Sequence, residues 1–320
     1  MNADQALNYY QENTIIDTIQ SRSRYLSTAM HYALRLGGKR TRPVLAILTQ
    51  RFFDEKVDNI LPLCNAIELF HNFTLVHDDI MDESEMRRNS KTVYKQFSTP
   101  VAILTGDALL IKAYQHLEIY NSNVYYELSK ILNVTAFQLC DGQQFDIEFE
   151  NENNITVDAY LEMIRMKTAV LLGATMQMTG VINNQSTQIN KKLYEIGVDL
   201  GMCFQLNDDY LDTFGGEEFD KIIGNDIVKN KKTYLWLKAL ELSNEGQRNI
   251  LISNMNNQNA TEKIEIVKSM YIKLGVNENS KILSISYYMR AIEKLESLDI
   301  NEQAKKNFMN FIEALNHRKK

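Results

Sequence analysis

Apolar residues recur along this chain mostly at helical spacing. In LPLCNAIELFHNFTLVHDD, Leu63, Ile67, Phe70 and Thr74 fall on or near one stripe. Segments 101–120, 124–150, 157–180, 189–214, 231–244, 261–274 and 282–295 read as long helices. Pro43, Pro62 and Pro100 stand near proposed helix starts, where a missing N–H costs little. Polar stretches at 87–99, 150–156, 183–188, 215–230 and 253–260 separate the helices. No short-period repeat or low-complexity tract interrupts the pattern. It predicts a single all-α domain over residues 1–320, an antiparallel helical bundle of about ten or more helices.

Composition narrows this further. The 320 residues include 3 prolines and 13 glycines, against about 16 and 22 at average usage. So little punctuation argues against a many-turned β-sandwich or barrel. The net charge of −6 argues against nucleic acid as a partner, since phosphate backbones need a basic face. A small anionic ligand remains open wherever positive groups converge. Cys64, Cys140 and Cys203 show no CxxC spacing, so neither a disulfide framework nor a zinc site is expected. The opening MNADQALNYYQENT lacks a basic and apolar leader pattern, and no apolar run reaches transmembrane length. A cytoplasmic location is expected.

One internal echo carries chemistry. HDDIMD at 77–82 and NDDYLD at 207–212 each place aspartates as DDxxD. Asp78 and Asp82, and equally Asp208 and Asp212, are four residues apart and share a helix face, where like charges repel. Aspartate is a mediocre helix former, so six of them in two apolar helices conflict with local preference. Such conflicts are expected at functional sites. Oxygen-only ligands suit a hard cation, and Mg²⁺ typically takes one or two carboxylates with substrate phosphates and waters. One cluster alone would read as a solvated helix end; two copies with identical spacing favour a metal-bridged diphosphate. Neither segment has the alternating oxygens and central glycine of an EF-hand loop.

A diphosphate also needs cations. The chain supplies GGKRTRP at 37–43, Arg87-Arg88, Lys167-Thr168, Lys221 and Lys231-Lys232-Thr233. Arginine grips phosphate oxygens in a fork, and lysine offers a compact charge. GGKRTRP is not a Walker loop, and no GxGxxG is present. His71 and His77 are six residues apart, a poor spacing for chelation. His77 reads as a packed or hydrogen-bonded histidine, and His71 groups with Lys39 and Arg42 for phosphate binding.

Taken in order, GGKRTRP, HDDIMD with MRRN, the Lys-Thr at 167–168, FQLNDDYLD and KIIGNDIVKNKKT resemble the trans-isoprenyl diphosphate synthases, the polyprenyl synthetase family. The resemblance covers about residues 30 to 240. It implies the isoprenoid synthase fold, a bundle around a deep central pocket, usually as a homodimer. It implies Mg²⁺, three ions per site, with Asp78 and Asp82 holding two and Asp208 leading the third. Arg87, Lys167 and Lys231, helped by Lys221, would hold an allylic diphosphate. Thr168 and Gln205 would turn oxygen dipoles toward the developing allylic cation. Lys39, Arg42, His71 and Arg88 would hold isopentenyl diphosphate. Asp79, Asp209 and Asp212 would support these groups. The sequence departs from the family at Asp220, where a glycine commonly precedes the lysine at 221. The terminal His317-Arg318-Lys319-Lys320 reads as a phosphate flap or as a solvated tail.

The implied reaction is head-to-tail condensation of isopentenyl diphosphate with an allylic diphosphate. An aromatic at Phe73, a small neighbour at Thr74 and no insertion within DDIMD resemble short-chain members. The product expected first is geranylgeranyl diphosphate, then farnesyl diphosphate. Phe70, one turn further from the acids, is read either as a deeper floor or as ordinary core. Two rival readings share the fold: a class I terpene cyclase and a non-catalytic subunit of a prenyl synthase. The second full DDxxD and the Lys39, Arg42 and Arg88 set favour the synthase.

Overall fold

The computed structural model describes residues 1–14, 18–54, 56–152, 154–216 and 223–316. Helices follow one another as α1 (Ala3–Asn13), α2 (Arg24–Arg35), α3 (Thr41–Gln50), α4 (Leu61–Met81), α5 (Val93–Gln96), α6 (Thr99–Leu117), α7 (Ser122–Asn151) and α8 (Val157–Ile164). They continue as α9 (Val170–Ile182), α10 (Thr187–Phe214), α11 (Asn225–Val228), α12 (Tyr234–Leu242), α13 (Glu245–Asn254), α14 (Ala260–Lys273), α15 (Val276–Glu296) and α16 (Glu302–Asn316). Pro62 and Pro100 sit in the first turns of α4 and α6. Pro43 is the third residue of α3. Ser98 caps α6 by accepting from the Val101 N–H, which supplies a partner that a helix start lacks.

Two features depart from the expected pattern. The polar stretch 87–99 is not merely a break. Met86–Arg87 (β1) pairs antiparallel with Ser90–Lys91 (β2), and α5 follows. Arg88 and Asn89 at the hairpin tip have φ of 51° and 60°, the two positive angles that a tight primed turn demands. Secondly, the expected helix 157–180 contains a π-turn at Arg165–Ala169 between α8 and α9, where the Val170 N–H donates to the Arg165 carbonyl. Such single wide turns concentrate at functional sites.

The chain groups into two compact units. The first comprises Met1–Leu132, Thr175–Lys191 and Ile300–Phe308. Its centre is α4 against α6. Leu63, Ile67 and Phe70 of α4 are fully buried, as are Ala102, Leu109, Ala113 and Leu117 of α6. Full burial of one such large side chain contributes about 1.5–3 kcal/mol. His77 packs its ring on Gly106 of α6, where any Cβ would collide with it, and its Nε2 lies 3.1 Å from the Ile103 carbonyl oxygen. His77 is thus a packed, hydrogen-bonded residue, as expected.

The second unit comprises Asn133–Ala174, Lys192–Asp299 and Met309–Lys320. Tyr160, Met163 and Ile164 of α8, Met202 and Leu206 of α10, Leu235 and Trp236 of α12, and Tyr271 of α14 share its core. Lys232 reaches back to the end of α7, donating to the Phe149 carbonyl at 2.8 Å, the Glu150 carbonyl at 3.0 Å and the Glu152 carbonyl. These are carbonyls that a helix end leaves without partners. Among the described residues no helix is long and apolar enough to cross a membrane.

Candidate active site

In the first unit, α4 ends on the first acidic cluster. Asp79 is 2% exposed, whereas Asp78 is half-buried and Asp82 exposed. The hairpin folds Arg87 back onto Asp79: its Nε donates to both carboxylate oxygens at 2.8 and 2.9 Å, and its Nη2 lies 2.7 Å from Oδ1. Burial raises the Asp79 carboxyl, and the Arg87 hydrogen bond and charge oppose that. Asp79 therefore orients an arginine, while Asp82 is exposed at the end of α4.

A cationic pocket lies in the same unit. Gly37, Gly38 and Arg40 all have positive φ (85°, 126° and 47°), so the chain turns tightly before α3. Arg88 donates to the Gly37 carbonyl, and its guanidinium lies so close to Gly38 that no Cβ fits. Arg40 donates to Glu68 and to the Leu34 carbonyl. The buried Nε of Arg42 has no partner among the described residues, a state that costs about 1–3 kcal/mol. Burial holds Arg42 down to about 10. His71 is held well below the usual histidine range by burial first, then by Arg42, Arg88, Arg87 and Arg40. Four guanidinium groups thus act on one neutral imidazole, an arrangement that an anion would relieve.

In the second unit the π-turn carries Lys167 and Thr168. Lys167 Nζ is 2.5 Å from Asp146 of α7. Gly142 on the same helix meets the Lys167 backbone directly, leaving no room for a side chain there. Thr168 Oγ1 donates to Gln205 Oε1 at 3.2 Å, and Gln205 Nε2 donates to Asp209 Oδ1 at 3.0 Å. The Tyr160 hydroxyl donates to the other oxygen of Asp209. Asp209 is 4% exposed. Burial pushes its carboxyl up to about 7, against the hydrogen bonds from Tyr160 and Gln205. Asp212 accepts from the Asp226 N–H at 2.9 Å and is buried, whereas Asp208 is half-buried.

The two clusters share a spacing but not a division of labour. In both, the middle aspartate is buried and committed to neighbours. The last one differs: Asp82 is exposed at the end of α4, and Asp212 is buried and receives a backbone N–H. Among the described residues no three His, Cys, Asp or Glu side chains converge as a closed metal cage. Asp78 and Asp82 in the first unit, and Asp208 in the second, offer only oxygen, the atom type that suits a hard divalent ion keeping waters and substrate phosphates as its other ligands.

Lys39, Arg42, His71, Arg87 and Arg88 belong to the first unit with Asp78 and Asp82, and Lys167, Thr168, Gln205 and Lys231 to the second with Asp208. Lys221, Asp220 and residues 317–320 lie outside the described residues. Phe70 is fully buried, and Phe73 and Thr74 are half-buried. Sequence reasoning missed Glu68, Asp146, Tyr160 and Gln143. Glu68 is an acid within a largely apolar helix, LPLCNAIELF, and that conflict was its signal. Asp146 sits in the acid-rich run DIEFENE, which reads as a solvated face. Both amide atoms of Gln143 are buried without a partner among the described residues.

Residues 23–274 match the polyprenyl synthetase family. A geranylgeranyl pyrophosphate synthase from Geoglobus acetivorans is 41% identical over 67% of this chain and 67% of its own. A geranylgeranyl diphosphate synthase from Saccharolobus solfataricus is 32% identical over 92% of this chain and 90% of its own. A crystal structure of a geranylgeranyl pyrophosphate synthase covers 100% of both chains, at 36% identity and a TM-score of 0.94. The matched region runs through both acidic helices, the cationic pocket and the π-turn. With the family match over most of the chain and relatives of 32–41% identity, the chain belongs to the polyprenyl synthetase family, whose members depend on a divalent metal, and is a trans-prenyltransferase.

Proposed function

We propose that this enzyme condenses isopentenyl diphosphate head to tail with dimethylallyl, geranyl or farnesyl diphosphate, preferably as far as geranylgeranyl diphosphate, with farnesyl diphosphate the next product. The observation that carries this reading is the group of guanidiniums acting on His71, with the buried and unpartnered Arg42 Nε among them. A cyclase, with one diphosphate substrate, has no use for a second anion pocket distinct from its metal carboxylates. Incubation of an allylic diphosphate with and without isopentenyl diphosphate tests it. Chain elongation that needs both substrates is expected, and hydrocarbon released from the allylic substrate alone would mark a cyclase instead.

Arg42, His71, Arg88 and Lys39 hold isopentenyl diphosphate and orient its double bond. Arg87, fixed by Asp79, and Lys167, fixed by Asp146, hold the allylic diphosphate with Lys231 and Lys221. Asp78, Asp82 and Asp208 would hold Mg²⁺, with three ions expected. When bound, such ions supply positive charge to the departing pyrophosphate. The allylic C–O bond breaks and its electron pair leaves with pyrophosphate. Thr168 and Gln205 present oxygen dipoles to the carbon left electron-poor. The double bond of isopentenyl diphosphate forms the new C–C bond there, and its proton passes to the departing diphosphate.

Separate pockets give separable defects. Arg42→Ala raises KM for isopentenyl diphosphate about tenfold or more, because a charge-assisted hydrogen bond contributes about 1.5–3 kcal/mol. Lys167→Ala raises KM for the allylic substrate instead. Steady-state titration of each substrate checks this, and reversed effects would show that the two sites have been exchanged.

The two units work as one domain in this reading, since the family match runs from 23 to 274 without a break. The working form is a cytoplasmic homodimer. Ile103, Leu104 and Ile111 give α6 an exposed apolar face, of a kind that marks interaction surfaces. Light scattering is expected to give twice the 37.0 kDa chain mass. Leu104→Glu with Ile111→Glu shifts it to the monomer, and an unchanged mass in that variant would place the interface elsewhere.

A further inference from the structure

Glu68 is a carboxylate on the buried side of α4, 3% exposed, with Leu63, Ile67, Leu69 and Phe70 buried on the same helix and Asn65 and Asn72 as its buried polar neighbours. A charge in such a place persists only when paired and hydrogen-bonded. Its partners are Arg40, which donates to Oε1, and Asn72, whose Nδ2 donates to the same oxygen at 3.1 Å. Arg40 also donates to the Leu34 carbonyl near the end of α2. One guanidinium thus joins α2, the start of α3 and the middle of α4.

Arg40 is itself in an uncommon state. It stands just before α3 with φ 47° and ψ 36°, left-handed backbone at a residue with a side chain, and it makes no side-chain cap to the helix. Such a conformation persists when the surroundings over-determine it. Here the contacts to Leu34 and Glu68 do so. The residue before it is the exposed Lys39, and two further on is Arg42 of the cationic cluster around His71. At the other end of the same turn, Arg88 donates to the Gly37 carbonyl. The turn 37–40 is therefore fastened at both ends, and the Arg40 fastening depends on Glu68. Glu68 also favours the protonated forms of Arg42 and Arg88, so it is the counter-charge that lets several guanidiniums share one pocket.

We propose that Glu68 is a positioning residue for isopentenyl diphosphate: acting through Arg40, it fixes the left-handed turn that delivers Lys39 and Arg42 to the diphosphate. Glu68 does not touch substrate. The inference rests on the two-substrate reading above.

The test compares Glu68→Gln, which keeps the shape and removes the charge, with the double variant Arg40→Met, Glu68→Gln. Neutralising both members of a buried pair spares the fold the cost of a lone buried charge. In Glu68→Gln, isopentenyl diphosphate binding by calorimetry weakens about tenfold and its KM rises by a like factor. KM for farnesyl diphosphate stays within about twofold. The double variant melts near the wild type yet remains weakened toward isopentenyl diphosphate. If the pair served the fold alone, the double variant would regain wild-type binding, and that result would overturn the proposal. Equal weakening toward both substrates would do so as well. A wild-type chain that binds no isopentenyl diphosphate would refute the two-substrate reading itself. If the wild type binds and both variants bind equally well, only the positioning role fails.

Discussion

Asp78→Ala and Asp208→Ala are each expected to lower kcat by about two to three orders of magnitude, the loss typical when one preorganised stabiliser of developing charge is removed. The far-UV CD spectrum should stay largely intact. Both carboxylates are only half-buried, so shortening them opens no large cavity. The contrast is with the middle aspartates. Asp79→Ala strands the Arg87 guanidinium, and Asp209→Ala strands the Tyr160 hydroxyl and the Gln205 amide. Those variants lose thermal stability as well as activity, because each leaves polar groups without partners. Activity assays over a range of Mg²⁺ alongside thermal melts separate the two classes. Near-normal turnover in Asp78→Ala or Asp208→Ala would reject the metal role assigned to that residue.

That contrast also marks where the sequence stops being informative. The repeated DDxxD spacing, the stripe on α4 and the prolines at helix starts are local patterns, and each is found where its period or chemistry puts it. What differs between the two clusters is not local. Asp79 is committed by an arginine eight residues later, beyond the end of α4, where Glu83 turns the chain with φ 49°. Asp209 is committed by Tyr160, forty-nine residues earlier. Two-residue strands are too short to show alternation, so the hairpin at 86–91 reads simply as polar. The π-turn at 165–169 shifts hydrogen bonding by one residue within an apolar run, where a helical period gives no warning. Glu68 and Asp146 follow the same rule. Each is an ordinary acid until the guanidinium or ammonium that it holds is known.

Phe73→Ala is expected to lengthen the product. The wild type should stop at fifteen or twenty carbons, and the variant should run longer, as chromatography of the prenyl products would show. In the proposed reading the hydrocarbon tail grows away from the diphosphates along α4. Thr74 lies one turn from Asp78, about 6 Å down the axis, Phe73 flanks that stripe, and Phe70 lies about 12 Å down. A ring can act as a floor only if it cannot swing aside. Phe73 meets Phe70 edge-on at 5.4 Å between centroids and His77 edge-on at 5.0 Å. His77 is in turn held by the Ile103 carbonyl and seated on Gly106. The hydroxyl of Thr74 is turned back to the His71 carbonyl at 2.8 Å, which leaves its small side chain beside the ring without a competing group. Phe70 differs because it is fully buried in the first unit's core. Phe70→Ala should therefore cost about 3–5 kcal/mol in stability before it has any effect on chain length, and a thermal melt beside the product profile distinguishes the two rings. A wild-type product of thirty carbons or more, or an unchanged distribution in Phe73→Ala, would remove Phe73 as the floor. Longer products from Phe70→Ala alone would move the floor one turn deeper.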